Sequence, residues 1–308
     1  MRYLETMTTS PDPAQPAASA STFTAGSLAN RAGYDPMFLG RSVPLPRPAD
    51  SSLATVQLLY THFTVVLRPD RKLAAATTVA IDGARLRASD RDSEWRLDPR
   101  VPVGIQAGNE LYLHNSLDRG HLVRRLDPVW GEPAEADQAD EDTFHYTNAA
   151  PQADVFNQGI KLWLGLENFL LDHAAQFDRR LVVHSGPVLL DDDPVYRGVK
   201  IPLRFWKVAA FIDDGELAAT AYVLDQSPDL TDAEAALAAA EAVGEPPPLG
   251  AFRTFQAPVR DIAQITGLDL GPLPAVDRFR PVAVVAGVPS EERWTPLGSF
   301  HDITWQND

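Results

Sequence analysis

Asp118-Arg119-Gly120-His121 is the stretch on which the reading of this chain turns. It sets a permanent cation, a flexible glycine and an imidazole within four residues. A planar guanidinium suits phosphate oxygens, and an imidazole titrates near neutrality, so it can exchange a proton at physiological pH. Taken alone, the tetrapeptide also fits a turn after a strand with an exposed histidine, so its surroundings decide. Downstream come Phe144-His145-Tyr146-Thr147-Asn148-Ala149-Ala150-Pro151-Gln152, Phe156-Asn157-Gln158-Gly159 and Trp163-Leu164-Gly165-Leu166-Glu167. Upstream lies Arg91-Asp92-Ser93-Glu94-Trp95-Arg96-Leu97-Asp98-Pro99.

Residues 158–175 carry the clearest helical pattern: Leu162, Trp163, Leu166, Phe169 and Leu170 recur at three- and four-residue spacing with no proline inside. Residues 56–66 and 77–81 are β-branched and aromatic, the second run ending at the turn signal Asp82-Gly83, and they read as paired strands. Strands are also expected over 180–188 and 199–212, the latter starting in earnest only after Pro202. Between 226 and 249 an acidic, Ala-rich helix capped by Thr231 and stopped at Gly244 reads as a surface insertion, and residues 259–268 return to helical spacing with Gly267 as the stop. Residues 1–30, rich in Pro, Ala, Ser and Thr, read as a flexible tail preceding one domain over 31–308.

The order of these blocks resembles the DNA/RNA non-specific endonuclease family of the ββα-metal class. Ser185-Gly186-Pro187 and Ile262-Ala263-Gln264-Ile265-Thr266-Gly267-Leu268 extend the likeness. The resemblance implies an α+β fold with a central, mostly antiparallel sheet and flanking helices. In its core the histidine ends one strand, the chain returns as a second strand, expected over 143–147, and a helix presents the metal ligand.

Carried onto this sequence, the resemblance makes His121 the general base that accepts the proton of the attacking water. Asn157 becomes the single protein ligand of a Mg²⁺, for which Mn²⁺ could substitute, with water and phosphate oxygens completing an octahedral shell. Glu167 matches the family acid that orients a metal-bound water, Arg91 and Arg119 match arginines that contact phosphate, and Asn148 matches a position that supports the site by hydrogen bonds. One spacing departs: Asn157 and Glu167 lie two residues further apart than in many members. In a regular helix that turns Glu167 by about 200° and moves it about 3 Å, so Asn157 is expected to precede the regular helix or the Glu167 role is lost.

Composition narrows the rest. With no cysteine among the 308 residues, disulfides, thiol nucleophiles and thiolate metal sites are excluded. No apolar run approaches the roughly 20 residues of a membrane helix, and no secretory signal is recognised, which leaves a cytoplasmic location or export by a non-classical route. The net charge of −15 is unusual for an enzyme acting on DNA and RNA. Arginines nevertheless cluster at 91, 96 and 100 and at 119, 124 and 125, so a local basic groove is compatible with it.

The acids of 132–142 read as a solvated loop that could also repel polymer or cover a groove, and Asp191-Asp192-Asp193 reads as a solvated loop rather than a metal site. His62, His114, His145 and His173 read as structural or exposed, and His184 has no partner visible in sequence. Competing readings are a binding module of the same fold that has lost turnover and a narrower phosphodiesterase. An inhibitor or other partner protein is compatible with each.

Overall fold

In the computed structural model, residues 24–89, 94–153, 178–228, 233–250, 253–279, 294–299 and 302–303 are described. Their strands, in chain order, are β1 (Arg47–Pro48), β2 (Val56–Leu59), β3 (Phe63–Arg68), β4 (Leu73–Asp82), β5 (Leu117–His121), β6 (Ala149–Ala153), β7 (Arg180–Pro187), β8 (Val195–Tyr196), β9 (Val199–Lys200), β10 (Arg204–Asp213), β11 (Glu216–Asp225), β12 (Arg253–Ala257), β13 (Leu268–Asp269) and β14 (Thr295–Pro296). The α-helices are α1 (Asn109–Tyr112), α2 (Pro133–Thr143), α3 (Ala233–Val243) and α4 (Val259–Thr266).

Eight of the strands form one sheet in the order β14-β12-β11-β10-β7-β4-β3-β2, with every neighbouring pair antiparallel. Its central strands are buried on both faces, and all ten residues of β4 are inaccessible. That is why β4 reads as a run of small and β-branched residues rather than as an alternation. Phe63, Val79, Val183 and Phe205 point to one face, where they pack with Leu122, Val123 and Ala150. Ala80, Val182, Trp206 and Val208 point to the other, against Val259 and Ile262 of α4. The sheet therefore has the β5–β6 ribbon on one side and α4 on the other.

Local chemistry sets the connections. Asp214 and Gly215 both have positive φ (48° and 83°) and join β10 to β11 as a two-residue hairpin turn. Gly267 adopts the left-handed conformation (φ 63°) that ends α4, and Gly244 (φ 71°) follows α3. As expected, the strand after Pro202 begins at Arg204 and the one near 180 at Arg180. The run 56–66 is not one strand but two, because the chain reverses at Tyr60-Thr61-His62, with His62 at φ 66°.

Three further expectations are corrected. Packing begins within the segment read as a tail, where Leu28 is buried in the core. The acidic run 132–142 is helix α2, not a solvated loop; Asp140 and Asp142 are fully buried and accept hydrogen bonds from Arg125 and Ser89 and from Arg31 and Thr61. In the Asp191–Asp193 triplet, Asp193 is buried and ion-paired with Arg71 at 2.5 Å, while its two neighbours are exposed. Residues 158–175 and Thr231 lie outside the described residues. No helix among those described is long and apolar enough to cross a membrane.

Candidate active site

His121 is the last residue of β5, which pairs antiparallel with β6 in a two-stranded ribbon with Arg119 opposite Pro151 and His121 opposite Ala149. The returning strand is thus 149–153; residues 143–147, where it was expected, finish α2 and enter a 3₁₀ turn over Tyr146–Asn148. Strand alternation puts Arg119 and His121 on one face of the ribbon. Gly120 between them has no positive φ; it makes room for Gln152, whose side chain occupies the place where a Cβ would stand.

The His121 imidazole sits in an aromatic box. The Trp95 ring lies 4.5 Å from it and the Phe144 ring meets it edge-on at 5.0 Å. Trp95 is delivered by its own neighbours: Arg96 N–H donates to the Phe144 carbonyl at 2.9 Å, and Tyr146 N–H donates to the Arg96 carbonyl at 2.9 Å. The segment is pinned two residues on, where fully buried Asp98 accepts from Tyr60 Oη and Arg100 Nη2, each at 2.6 Å. Burial, with the Arg125 guanidinium nearby, pushes the His121 pKa down to about 4, against a weaker opposite pull from Asp140. His121 Nε2 is buried with no hydrogen-bond partner among the described residues. The imidazole is accordingly neutral at physiological pH, not poised near 6.5 as the unperturbed value suggests.

Asn148 holds the backbone immediately after this histidine. Its Oδ1 accepts from Val123 N–H at 2.9 Å, while Nδ2 donates to the carbonyls of Val123 (2.9 Å) and Thr143 (3.0 Å). Its own carbonyl accepts from Leu122 N–H at 2.9 Å. All of its side-chain polar atoms therefore face backbone, in a fully buried setting where unpaired groups are costly.

Arg119 leans along the same wall. Its guanidinium lies 5.2 Å over the Tyr112 ring, its Nη2 donates to Asn109 Oδ1 at 2.5 Å, and its Nε approaches Tyr146 Oη at 3.4 Å. Two arginines of the expected basic groove are engaged in ion pairs, Arg100 with Asp98 and Arg125 with Asp140.

His121, Arg119 and Asn148 thus lie on one small unit. Arg91, Asn157 and Glu167 lie outside the described residues, as does His173. Among the described residues no group of three or more His, Cys, Asp or Glu is arranged to hold a metal. The other histidines differ from one another. His62 stacks on Trp130 at 3.5 Å, His114 is exposed, and burial lowers the pKa of His145 to about 4 and of His184 to about 3. His184 does have a partner, Thr78 Oγ1 at 2.7 Å across the sheet. The box around His121 is not legible in sequence, because Trp95 and Phe144 come from segments 26 residues before and 23 residues after it and carry no local signal of their role.

Comparison with known proteins agrees with this architecture. Residues 47–277 match the DNA/RNA non-specific endonuclease family. Protein y4fB of Sinorhizobium fredii is 42% identical over 264 residues, which are 77% of this chain and 38% of that protein. Human mitochondrial endonuclease G is 27% identical over 151 residues, 45% of this chain and 48% of its own length. The chain thus spans less than half the length of these relatives. The solved structure of the EndoG/EndoGI complex superposes with a TM-score of 0.50 at 17% identity, covering 69% of this chain and 84% of that one, a likeness of fold. With the family match extending over most of the domain, the chain belongs to the DNA/RNA non-specific endonuclease family.

Proposed function

We propose that this protein is a Mg²⁺-dependent endonuclease that hydrolyses phosphodiester bonds of DNA and RNA with little sequence preference, with His121 as general base. The observation that carries the reading is the state of His121 in a chain of this family: a half-buried, neutral imidazole whose Nε2 is itself buried and has no protein partner among the described residues. A neutral ring nitrogen is what a base needs to accept a proton. Mg²⁺ keeps several waters in its shell, so a single amide oxygen from the protein is compatible with the absence of a carboxylate cage among the described residues. Asn157 would hold Mg²⁺, or Mn²⁺ in its place. When bound, the ion would supply positive charge for the crowded phosphate and the leaving oxygen.

In this reading water attacks phosphorus as His121 Nε2 takes its proton, and the bond to the 3′ oxygen breaks, that oxygen taking a proton from solvent, which leaves a 5′-phosphate and a 3′-hydroxyl. Glu167 would orient a metal-bound water, and Arg119 and Arg91 hold phosphate oxygens. Asn148 acts through the backbone, fixing the peptides that follow the base. Contacts confined to the nucleic-acid backbone would account for weak sequence preference. The EndoG/EndoGI complex makes an inhibitor protein a reasonable partner to seek.

A narrower phosphodiesterase is favoured by one observation, the net charge of −15 with Arg100 and Arg125 already engaged in ion pairs. Activity that falls steeply with salt supports the polymer substrate, and a shallow dependence supports the small one.

The test is plasmid nicking by purified protein. The native chain should nick in Mg²⁺ and stop in EDTA. His121→Ala, shown folded by circular dichroism, should be slower by about 10²- to 10⁴-fold. Nicking by the variant at the native rate would overturn the assignment of His121, and a folded native chain that never nicks would favour a binding module.

A further inference from the structure

The backbone after His121 is gripped from the sheet as well as by Asn148. Thr77 on β4, Ser185 on β7 and Lys207 on β10 stand in one row across the sheet, since both Thr77 and Lys207 are in register with Ser185. All three are buried. They lie on the face that packs against the ribbon, and the contact is direct. Ser185 Oγ donates to the Leu122 carbonyl at 2.7 Å, and Lys207 Nζ donates to the same oxygen at 3.3 Å. Thr77 Oγ1 lies 3.0 Å from Ser185 Oγ and 3.2 Å from the Ser185 carbonyl, which fixes the serine.

Satisfying one carbonyl does not require this arrangement. The Ser185 hydroxyl alone would meet the need of the Leu122 oxygen. Lys207 Nζ gives the same oxygen a second donor from a buried position, so this particular carbonyl is held by more than it needs. Leu122 is bonded to His121, and a carbonyl held by two donors from a rigid sheet cannot rotate without breaking both bonds. The imidazole is thereby tied to the stiffest part of the molecule.

We propose that Ser185 and Lys207 are positioning residues for His121, anchoring the Leu122 carbonyl to the sheet so that the imidazole keeps its place in the aromatic box. The proposal rests on reading His121 as the general base. A displacement of about 1 Å in a reacting group can cost about a hundredfold in rate.

The experiment compares native protein, Ser185→Ala, Lys207→Met and the double variant, with plasmid as substrate in Mg²⁺ and the His121 ring followed by NMR. Ser185→Ala should lower kcat between about tenfold and a hundredfold, change KM less than twofold, and shift the His121 ring resonances. The double variant should lose less than the product of the single losses, because both donors act on one oxygen. A folded Ser185→Ala with kcat within twofold of native and an unmoved ring resonance would overturn the proposal. Should Lys207→Met fail to fold, Ser185→Ala decides alone. His121→Ala, run alongside, separates the two failures: a normal rate there removes the base, while the ring resonances in Ser185→Ala still report whether the row places the imidazole.

Discussion

Along β10 the residues from Phe205 to Phe211 are all buried, whereas in β5, the strand that ends in His121, only Leu117 is. The central sheet is held by area: Trp206, Val208 and Ala210 pack on one face, and Phe205, Ala209 and Phe211 on the other. The ribbon also packs on the sheet, through Ala150 and Ala153, but the chain that flanks His121 is in addition fixed by polar atoms at defined places, namely Asn148 on Val123 and Thr143, and Asp98 beneath the Trp95 segment. Apolar packing is tolerant of detail and sums over many contacts. Hydrogen bonds to buried backbone fix one geometry and leave a costly group behind when removed. Stability and site geometry should therefore separate under mutation.

The largest effect is expected in the sheet. Trp206→Ala removes a fully buried indole and should lower stability by about 3–5 kcal/mol, read by urea denaturation. The activity per folded molecule should be unchanged. Asn148→Ala should lower stability by about 2–3 kcal/mol, since several buried backbone groups lose their partner, and should in addition cut the rate per folded molecule by about a hundredfold. If the folded fraction of Asn148→Ala nicked plasmid at the native rate, the ribbon would be scaffold only.

Smallest is the effect at the surface of α2. Asp137 is exposed, and Asp137→Asn should change stability by less than about 0.5 kcal/mol, with cleavage at low salt altered less than twofold. A marked acceleration would mean that this helix repels substrate.

The same division explains what could be read from the sequence. Three of the central strands, β4, β7 and β10, were legible because their β-branched and aromatic runs and the turns at Asp82-Gly83, Gly244 and Gly267 are local signals, whereas β11, with alanines at 218, 219 and 221, was not read as a strand. The motif blocks placed His121 at a strand end and brought Asn148 beside it. What was misread is what long-range polar contacts decide. Residues 143–147 have β-like composition, yet Asn148 and the bonds between Arg96, Phe144 and Tyr146 fold them into a turn. The acids of 132–142 look like a solvated run until Arg31 and Arg125, distant in sequence, are seen to pair with Asp142 and Asp140. The lowered pKa of His121 was likewise invisible, because it follows from burial among rings contributed by two other segments.

The measurement that bears most directly on the central claim, a neutral His121 with a buried Nε2 acting as base, is the acid limb of kcat/KM expressed per folded molecule. The correction for folded fraction matters because His121, His145 and His184 all have lowered pKa values in the folded state. The unfolded chain thus binds more protons than the folded one below about 6.5, and stability falls as the pH drops from there towards 4. After that correction the rate should hold through pH 6.5 and fall with an apparent pKa near 4, the value to which burial and Arg125 bring His121. A limb centred near 6.5 would contradict the account, since it would describe an imidazole in open water rather than one enclosed by Trp95 and Phe144.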